Sequence, residues 1–272
     1  PLVLFSLITV GYSANALGGA GGPLAVLIIA IVAAELGKAV SKETKVDILV
    51  TPLVTIFAGV GLSMLIAAPI GAAASQVGTL IMWATEQAPL VMGILVSVIV
   101  GVALTLPISS AAICAALGLT GLAGGAAVAG CCAQMVGFAV MSYKENGVGG
   151  LVSQGLGTSM LQMGNIIKNP RIWIAPTLAS AITGPLATCL FHFEMNGAAV
   201  SSGMGTCGLV GQIGVYTGWV SDIAAGTKAA ITPMDWAAMV LLCFVLPAVL
   251  SVVFCAVERK LGWIKEGDLK LN

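Results

Sequence analysis

Residues 236–257 read WAAMVLLCFVLPAVLSVVFCAV, from Trp236 to Val257, without one charged side chain. At 1.5 Å of rise per residue, a helix of that length covers about 30 Å, the thickness of a bilayer's hydrocarbon core. A strand buried in a water-soluble α/β protein supplies an apolar run of only about 4–8 residues. The stretch therefore predicts a transmembrane helix. Outward from it the same pattern recurs toward the N-terminus. Charge-free gaps run from Met195 to Ser221, Ile172 to Phe193, Asn146 to Ile167, Gln87 to Tyr143, Ile48 to Thr85 and Pro1 to Ala34. Each is long enough for one span, and the longest holds two or more.

Composition agrees. The 272-residue chain is 58% hydrophobic and 8% charged, whereas a soluble domain needs about 25% charged residues to cover its surface. The remaining solvent must be lipid. The formal net charge of zero implies no nucleic-acid partner. Cys114, Cys131, Cys132, Cys189, Cys207, Cys243 and Cys255 lie in apolar or Gly-rich surroundings and form no CxxC motif. They read as small buried hydrophobes. No cofactor or metal motif is present. Gly18–Pro23 is glycine-rich but lacks the strand and lysine of a phosphate-binding loop. The chain opens at Pro1 rather than Met, so a segment upstream is expected, either a cleaved signal peptide or a stretch not included here.

The fold class expected is an all-α integral membrane bundle of about seven to nine transmembrane helices, forming one domain over residues 1–272. Leu2–Leu17 reads as a first span, broken by Gly18–Pro23 before a second segment from Leu24 to Leu36. A long span is expected over about Ile48–Ile70, with Gly71–Thr85 weaker and interfacial. Further spans are expected over Leu90–Leu106, within Ile108–Met141, over Trp173–Phe191 and over Trp236–Val257. Two stretches fit lipid poorly. Gly147–Ile167 and Gly197–Val220 are Gly-rich and carry many uncharged polar side chains. Irregular backbone at membrane depth survives where protein or a cavity surrounds it, so both are expected to be re-entrant hairpins. They also share a faint repeat. Gly155-Leu156-Gly157-Thr158 is followed by Gln162, and Gly203-Met204-Gly205-Thr206 by Gln212. Paired broken segments often meet at a transporter's substrate site. Basic residues gather at Lys38–Lys45, at Lys168 and Arg171, and after Val257, which predicts that these face the cytoplasm.

Glu194 is the acid that stands out, next to the sole histidine, His192, just after an apolar span. Ionisable groups inside a membrane are costly and usually functional, although both residues would also suit a helix end at headgroup level. Glu194 would accept hydrogen bonds from sugar hydroxyls, or serve as base toward a hydroxyl being phosphorylated, with His192 beside it. The uncharged polar set is Asn15, Gln134, Gln154, Thr158, Gln162, Asn165, Asn196, Thr206 and Gln212. A carboxamide both donates and accepts, which suits a neutral polyhydroxy ligand. The competing reading is hydrogen bonding between helices.

Five motifs together resemble a known family: Thr105-Leu106-Pro107-Ile108-Ser109-Ser110, Gly130-Cys131-Cys132-Ala133-Gln134-Met135, the segment from Gln154 to Gln162, Lys168-Asn169-Pro170-Arg171-Ile172-Trp173-Ile174, and the segment from Gly203 to Gln212. The chain resembles the phosphotransferase-system IIC-like membrane proteins, in particular the subfamily that includes the perfringolysin regulator PfoR. That resemblance implies a bacterial inner-membrane, multi-pass sugar permease, a homodimer with two re-entrant hairpins around a buried sugar site. It further implies cytoplasmic phosphotransferase subunits as partners, which carry the phosphoryl donor. The family's glutamate sits in an Asn/Thr-Glu-Pro type motif, whereas here the order is Phe193-Glu194-Met195-Asn196. Two rival functions stay open at this point. One is a membrane sensor that regulates gene expression without transport, and the other is an ion-coupled secondary transporter.

Overall fold

The computed structural model describes residues 22–41 and 47–271, so Asn15 and the first predicted span lie outside the described residues. Among the described residues every regular element is helical. Four segments are long and apolar enough to cross a bilayer: Leu49–Gln87, Gly121–Met141, Pro170–Leu190 and Pro233–Lys260. The apolar helix Pro89–Thr105 is shorter. Contacts divide the chain into two compact units, Pro1–Gly78 with Ala115–Leu117, and Thr79–Cys114 with Gly118–Asn272.

The first unit is built on helix α1 (Gly22–Val40) and most of helix α2 (Asp47–Gln87). Among its described residues Ala25, Ile29 and Ala67 form a buried cluster, and Val26, Leu62, Ile66 and Ile70 pack against them. Most of its large apolar side chains face outward, with Phe57 72% and Leu65 73% exposed, as a lipid-facing surface requires. The helix does not stop at the expected end of the span near Ile70. Helix α2 runs on through Pro69 to Gln87, because residues 71–74 (Gly-Ala-Ala-Ala) are mostly strong helix formers that contain no stop. It ends where Pro89 disfavours helical geometry at the residue before it, and Ala88 has φ −134° and ψ 66°.

The second unit is organised around helix α5. In chain order its helices are α3 (Pro89–Thr105), α4 (Ser110–Leu117, whose last three residues belong to the first unit), α5 (Gly121–Met141), α6 (Tyr143–Val152), α7 (Met163–Lys168), α8 (Ile174–Pro185), α9 (Val210–Ala224), α10 (Pro233–Val240) and α11 (Leu246–Lys260). Helices α3, α8 and α11 pack on α5, and α8 also packs on both α3 and α11. Helix α5 is almost wholly enclosed, and Ala126, Val128, Cys132, Met135 and Phe138 are fully buried. Its small side chains make this feasible. A Cβ on Gly130 would collide with the Ser97 carbonyl of α3, so the two backbones lie in direct contact, as small residues permit in membranes. The cysteines are all free, and Cys114, Cys131, Cys132, Cys243 and Cys255 are buried.

The two Gly-rich stretches are the irregular parts. Residues 143–168 form α6, a π-turn (Ser153–Gly157), a 3-10 turn (Ser159–Gln162) and α7. Residues 197–224 form 3-10 turns at Ala199–Gly203 and Cys207–Leu209 followed by α9. The second stretch follows α5 along its length. A Cβ on Gly125 would meet the Phe193 carbonyl, whereas Gly205 packs on Cys131 and Thr206 donates to the Met135 sulfur at 3.5 Å. Helix α9 then runs back, with Gly211 against Gly205, Gly214 against Ser201 and Gly218 against Asn196. At the turn Gly205 and Leu209 take positive φ values of 52° and 59°.

Candidate solute site

The site is assembled at the end of the second unit where α5 and α10 begin. The chain leaves the π-turn Leu186–Leu190 and becomes extended. Met195 pairs with Gly121 through reciprocal 3.0 Å backbone hydrogen bonds. Side chains in extended backbone alternate sides. Phe193 and Met195 turn inward, 3% and 0% exposed, while His192 and Glu194 are exposed and Asn196 is half-buried. His192 takes φ 44°, a conformation uncommon outside glycine. The inward pair therefore fixes where Glu194 points.

Asn196 ties the site together. Its Oδ1 accepts from the Gly121 amide at 3.1 Å. Its Nδ2 donates to Glu194 Oε2 at 3.1 Å and to Asp222 Oδ2, from α9, at 2.9 Å. Lys228 Nζ pairs with Asp235 at 2.8 Å and lies 5.5 Å from the Trp219 ring centroid. Asp235 is itself fixed by a reciprocal capping box with Thr232 at the start of α10. Trp219 is 4% exposed and meets Trp236 edge-on at 5.6 Å. Glu194, Asn196, Trp219, Asp222, Lys228 and Asp235, with Phe191, His192 and Met234, line a cavity of about 470 Å³, within the range of small-molecule pockets. Three carboxylates and one ammonium give it surplus acceptors beside aromatic surface. Among the described residues no cluster of His, Cys, Asp and Glu is arranged to hold a metal.

Of the residues singled out in the sequence, Glu194, His192 and Asn196 come together here. The others are elsewhere. Gln134 is fully buried inside the bundle. It accepts from Trp173 Nε1 at 3.0 Å and donates to Thr177 at 3.3 Å. Gln154, Gln162 and Asn165 form a chain at the opposite end of α5. Gln162 donates to Gln154 Oε1 at 2.9 Å and Asn165 to Gln162 Oε1 at 2.8 Å. Gln154 also donates to Ser142 Oγ at 2.7 Å. The remaining donors of Gln162 and Asn165 reach the backbone carbonyls of Leu269 and Lys270, both at 2.9 Å, and that of Gln154 reaches the Gly150 carbonyl at 3.1 Å. Thr158 caps the following 3-10 turn through the Met160 amide. Thr206 is buried and donates to the Gly155 carbonyl, so the two halves of the faint repeat touch. Gln212 donates to Cys132 Sγ at 3.2 Å, and its buried Oε1 has no partner.

Sequence reasoning missed Trp219, Asp222, Lys228 and Asp235, because each sits near a loop where a charge or a tryptophan needs no special explanation. It also passed over Glu258. Charge spacing alone put this residue beyond the last span, yet it is 4% exposed. The usable signal was its register, since Ser251, Cys255 and Glu258 lie on one buried face of α11 at helical spacing.

The sequence profile of the family described as Phosphotransferase system, EIIC matches residues 1–271. The chain belongs to the phosphotransferase system EIIC family. This EIIC chain is therefore a multi-pass membrane protein related to sugar permeases, in agreement with its long apolar helices. No curated protein and no solved structure matches it.

Proposed function

We propose that this EIIC chain is the membrane permease subunit of a sugar phosphotransferase system, and that its solute site is the cavity walled by Glu194, Asn196, Trp219, Asp222 and Asp235. One observation carries the reading. Within a cavity of about 470 Å³, carboxylates converge beside buried tryptophan surface, and Glu194 is exposed to it. A sugar offers hydroxyl donors on its edge and C–H groups on its faces. Carboxylates accept strongly from hydroxyls, and an aromatic ring packs on the apolar face. The surplus negative charge disfavours an anionic solute. Glu194 would serve as base toward a hydroxyl being phosphorylated only once the site has been carried to the cytoplasmic side, where the separate phosphoryl donor works.

The two Gly-rich stretches are re-entrant hairpins in this reading. The backtracking of α9 along residues 196–205 supports it, and so does the return of residues 143–168 to the end of α5 from which they depart. Their closest points meet at Thr206 and Gly155, well along α5 from the cavity. From Gly121 to Met135 the helix advances about 21 Å. Basic residues Lys144, Lys168, Arg171, Arg259 and Lys260 gather at the far end of α5. By the positive-inside tendency that end is cytoplasmic and the cavity opens on the other face.

A thermal-shift screen in detergent against monosaccharides, sugar alcohols and nucleosides tests the assignment. A ligand at a hundredfold excess over its Kd adds about 2.7 kcal/mol of stability. The expected result is a sugar shift that disappears in Glu194→Gln. A sugar shift that persists unchanged in that variant overturns the site.

A further inference from the structure

After α11 the chain does not simply leave the bundle. Residues 261–271 fold back across residues 143–169. Two glycines at positive φ, Gly262 at 71° and Gly267 at 94°, make the turns, which side chains with a Cβ rarely adopt. Only Ile264 and Leu269 are buried, at 3% and 0% exposure. They join Phe138, Met141, Ile166 and Ile172 in one apolar cluster. Most of the rest of the segment is exposed.

Most of the polar contacts go to its main chain, and Asn169 also donates to the Asp268 carboxylate at 2.9 Å. Asn146 donates from Nδ2 to the Leu269 carbonyl at 2.8 Å and accepts at Oδ1 from the Leu271 amide at 2.8 Å. One carboxamide thus brackets Lys270 as a neighbouring strand would. Gln162 adds a second bond to the Leu269 carbonyl and Asn165 one to the Lys270 carbonyl. Asn169 donates to the Trp263 carbonyl at 2.9 Å. Contacts of this kind hold the turns of the segment by its main chain, and the buried Leu269 supplies the selectivity.

We propose that the carboxamide row Asn146–Gln162–Asn165 is a peptide main-chain site occupied by the chain's own segment 261–271, which acts as a releasable strap locking residues 143–168. Four observations support release as a local event. The strap has two apolar anchors, two glycine turns and largely exposed residues, and the side chains outside it that hydrogen-bond it all belong to residues 145–169. Segments with few buried contacts open below the global unfolding free energy. Once the strap leaves, Gln162 and Asn165 lose their carbonyl partners and the Gly-rich stretch is free to rearrange. The inference does not rest on the sugar reading.

Amide hydrogen exchange of the full chain in lipid nanodiscs tests it. The amides of Gly267 and Leu271 are expected to exchange on the order of 100-fold faster than those of Ala126–Met135 in α5. Leu269→Asp should speed exchange in the strap and across residues 150–162, leaving α5 unchanged. A synthetic peptide with the sequence of residues 261–271 should restore that protection, and the same peptide carrying Leu269→Asp should not. Strap and α5 amides exchanging together in the unaltered protein would overturn the proposal. So would loss of α5 protection in Leu269→Asp, or failure of the peptide to restore protection.

Discussion

The two ends of α5 solve opposite problems with similar side chains. At Gly121, Asn196 holds Glu194 and Asp222 side by side, and their remaining oxygen capacity faces a cavity. At Met141, Gln154, Gln162 and Asn165 hold one another and the main chain of residues 269–270. The first end is acidic, with three carboxylates and one ammonium around the cavity. The second is basic, with Lys144, Lys168, Arg171, Arg259, Lys260, Lys265 and Lys270 against Glu145, Glu258, Glu266 and Asp268. A carboxamide therefore announces a polar contact without saying whether the partner is ligand or chain. What separates the two cases is whether acceptors are left over once the chain's own donors have been assigned.

That contrast divides the effects of mutation into losses of stability and losses of binding. The largest effect is expected at the strap end. Gln162→Leu removes three hydrogen bonds and strands Gln154 Oε1 and one N–H of Asn165, while the Leu269 carbonyl keeps Asn146. At about 1–3 kcal/mol for each buried group left unpaired, the cost is about 2–4 kcal/mol. Thermal unfolding should show a clear drop in Tm, with sugar affinity retained in the folded fraction. Equal damage to affinity would break the contrast. Glu194→Gln comes next and should do the reverse. A hydrogen bond to a charged group is worth about 1.5–3 kcal/mol, so the sugar Kd should rise about 10- to 150-fold while the unliganded Tm stays within a degree or so. Isothermal titration beside a melting curve separates the two quantities. Trp219→Leu keeps most of the buried volume and removes the aromatic face. At about 0.5–1.5 kcal/mol for such a face, Kd should weaken about 2- to 13-fold by the same titration. The smallest effect belongs to Lys228→Met. Its ion pair with Asp235 is part-exposed, and such pairs contribute about 0–1 kcal/mol. A stability loss above that range would show that the cation–π contact with Trp219 matters more than the pair.

Some of this was legible beforehand. The charge-free gaps located the helices at Pro89–Thr105, Pro170–Leu190 and Pro233–Lys260 because lipid tolerates few charges over 20 residues. Glycine content marked 147–167 and 197–220 as the stretches that would not form one clean helix, and both are interrupted. The gaps failed where helix ends depend on something other than charge. Helix α2 passed the expected end of the span because Ala-rich sequence sustains a helix as readily as Leu-rich sequence does. They also could not rank the helices by environment. In the most apolar stretch of α5, 94% of residues are buried, against 22% in Leu49–Gln87, although the latter is the more hydropathic. Small residues, not hydropathy, mark the helix at the centre.

The amino-acid sequence by itself determined that this protein is helical, membrane-embedded and a phosphotransferase-system EIIC chain. These properties follow from lipid excluding charge over span-length stretches and from a family profile that matches residues 1–271. Only the tertiary structure decided which polar residues meet. Glu194 joins Asp222 and Asp235 across 28 and 41 residues of sequence, and Gln162 finds Leu269 across 107. Both pairings depend on where helices cross α5, and a hydrogen bond a few ångströms long records such crossings with no trace in local composition.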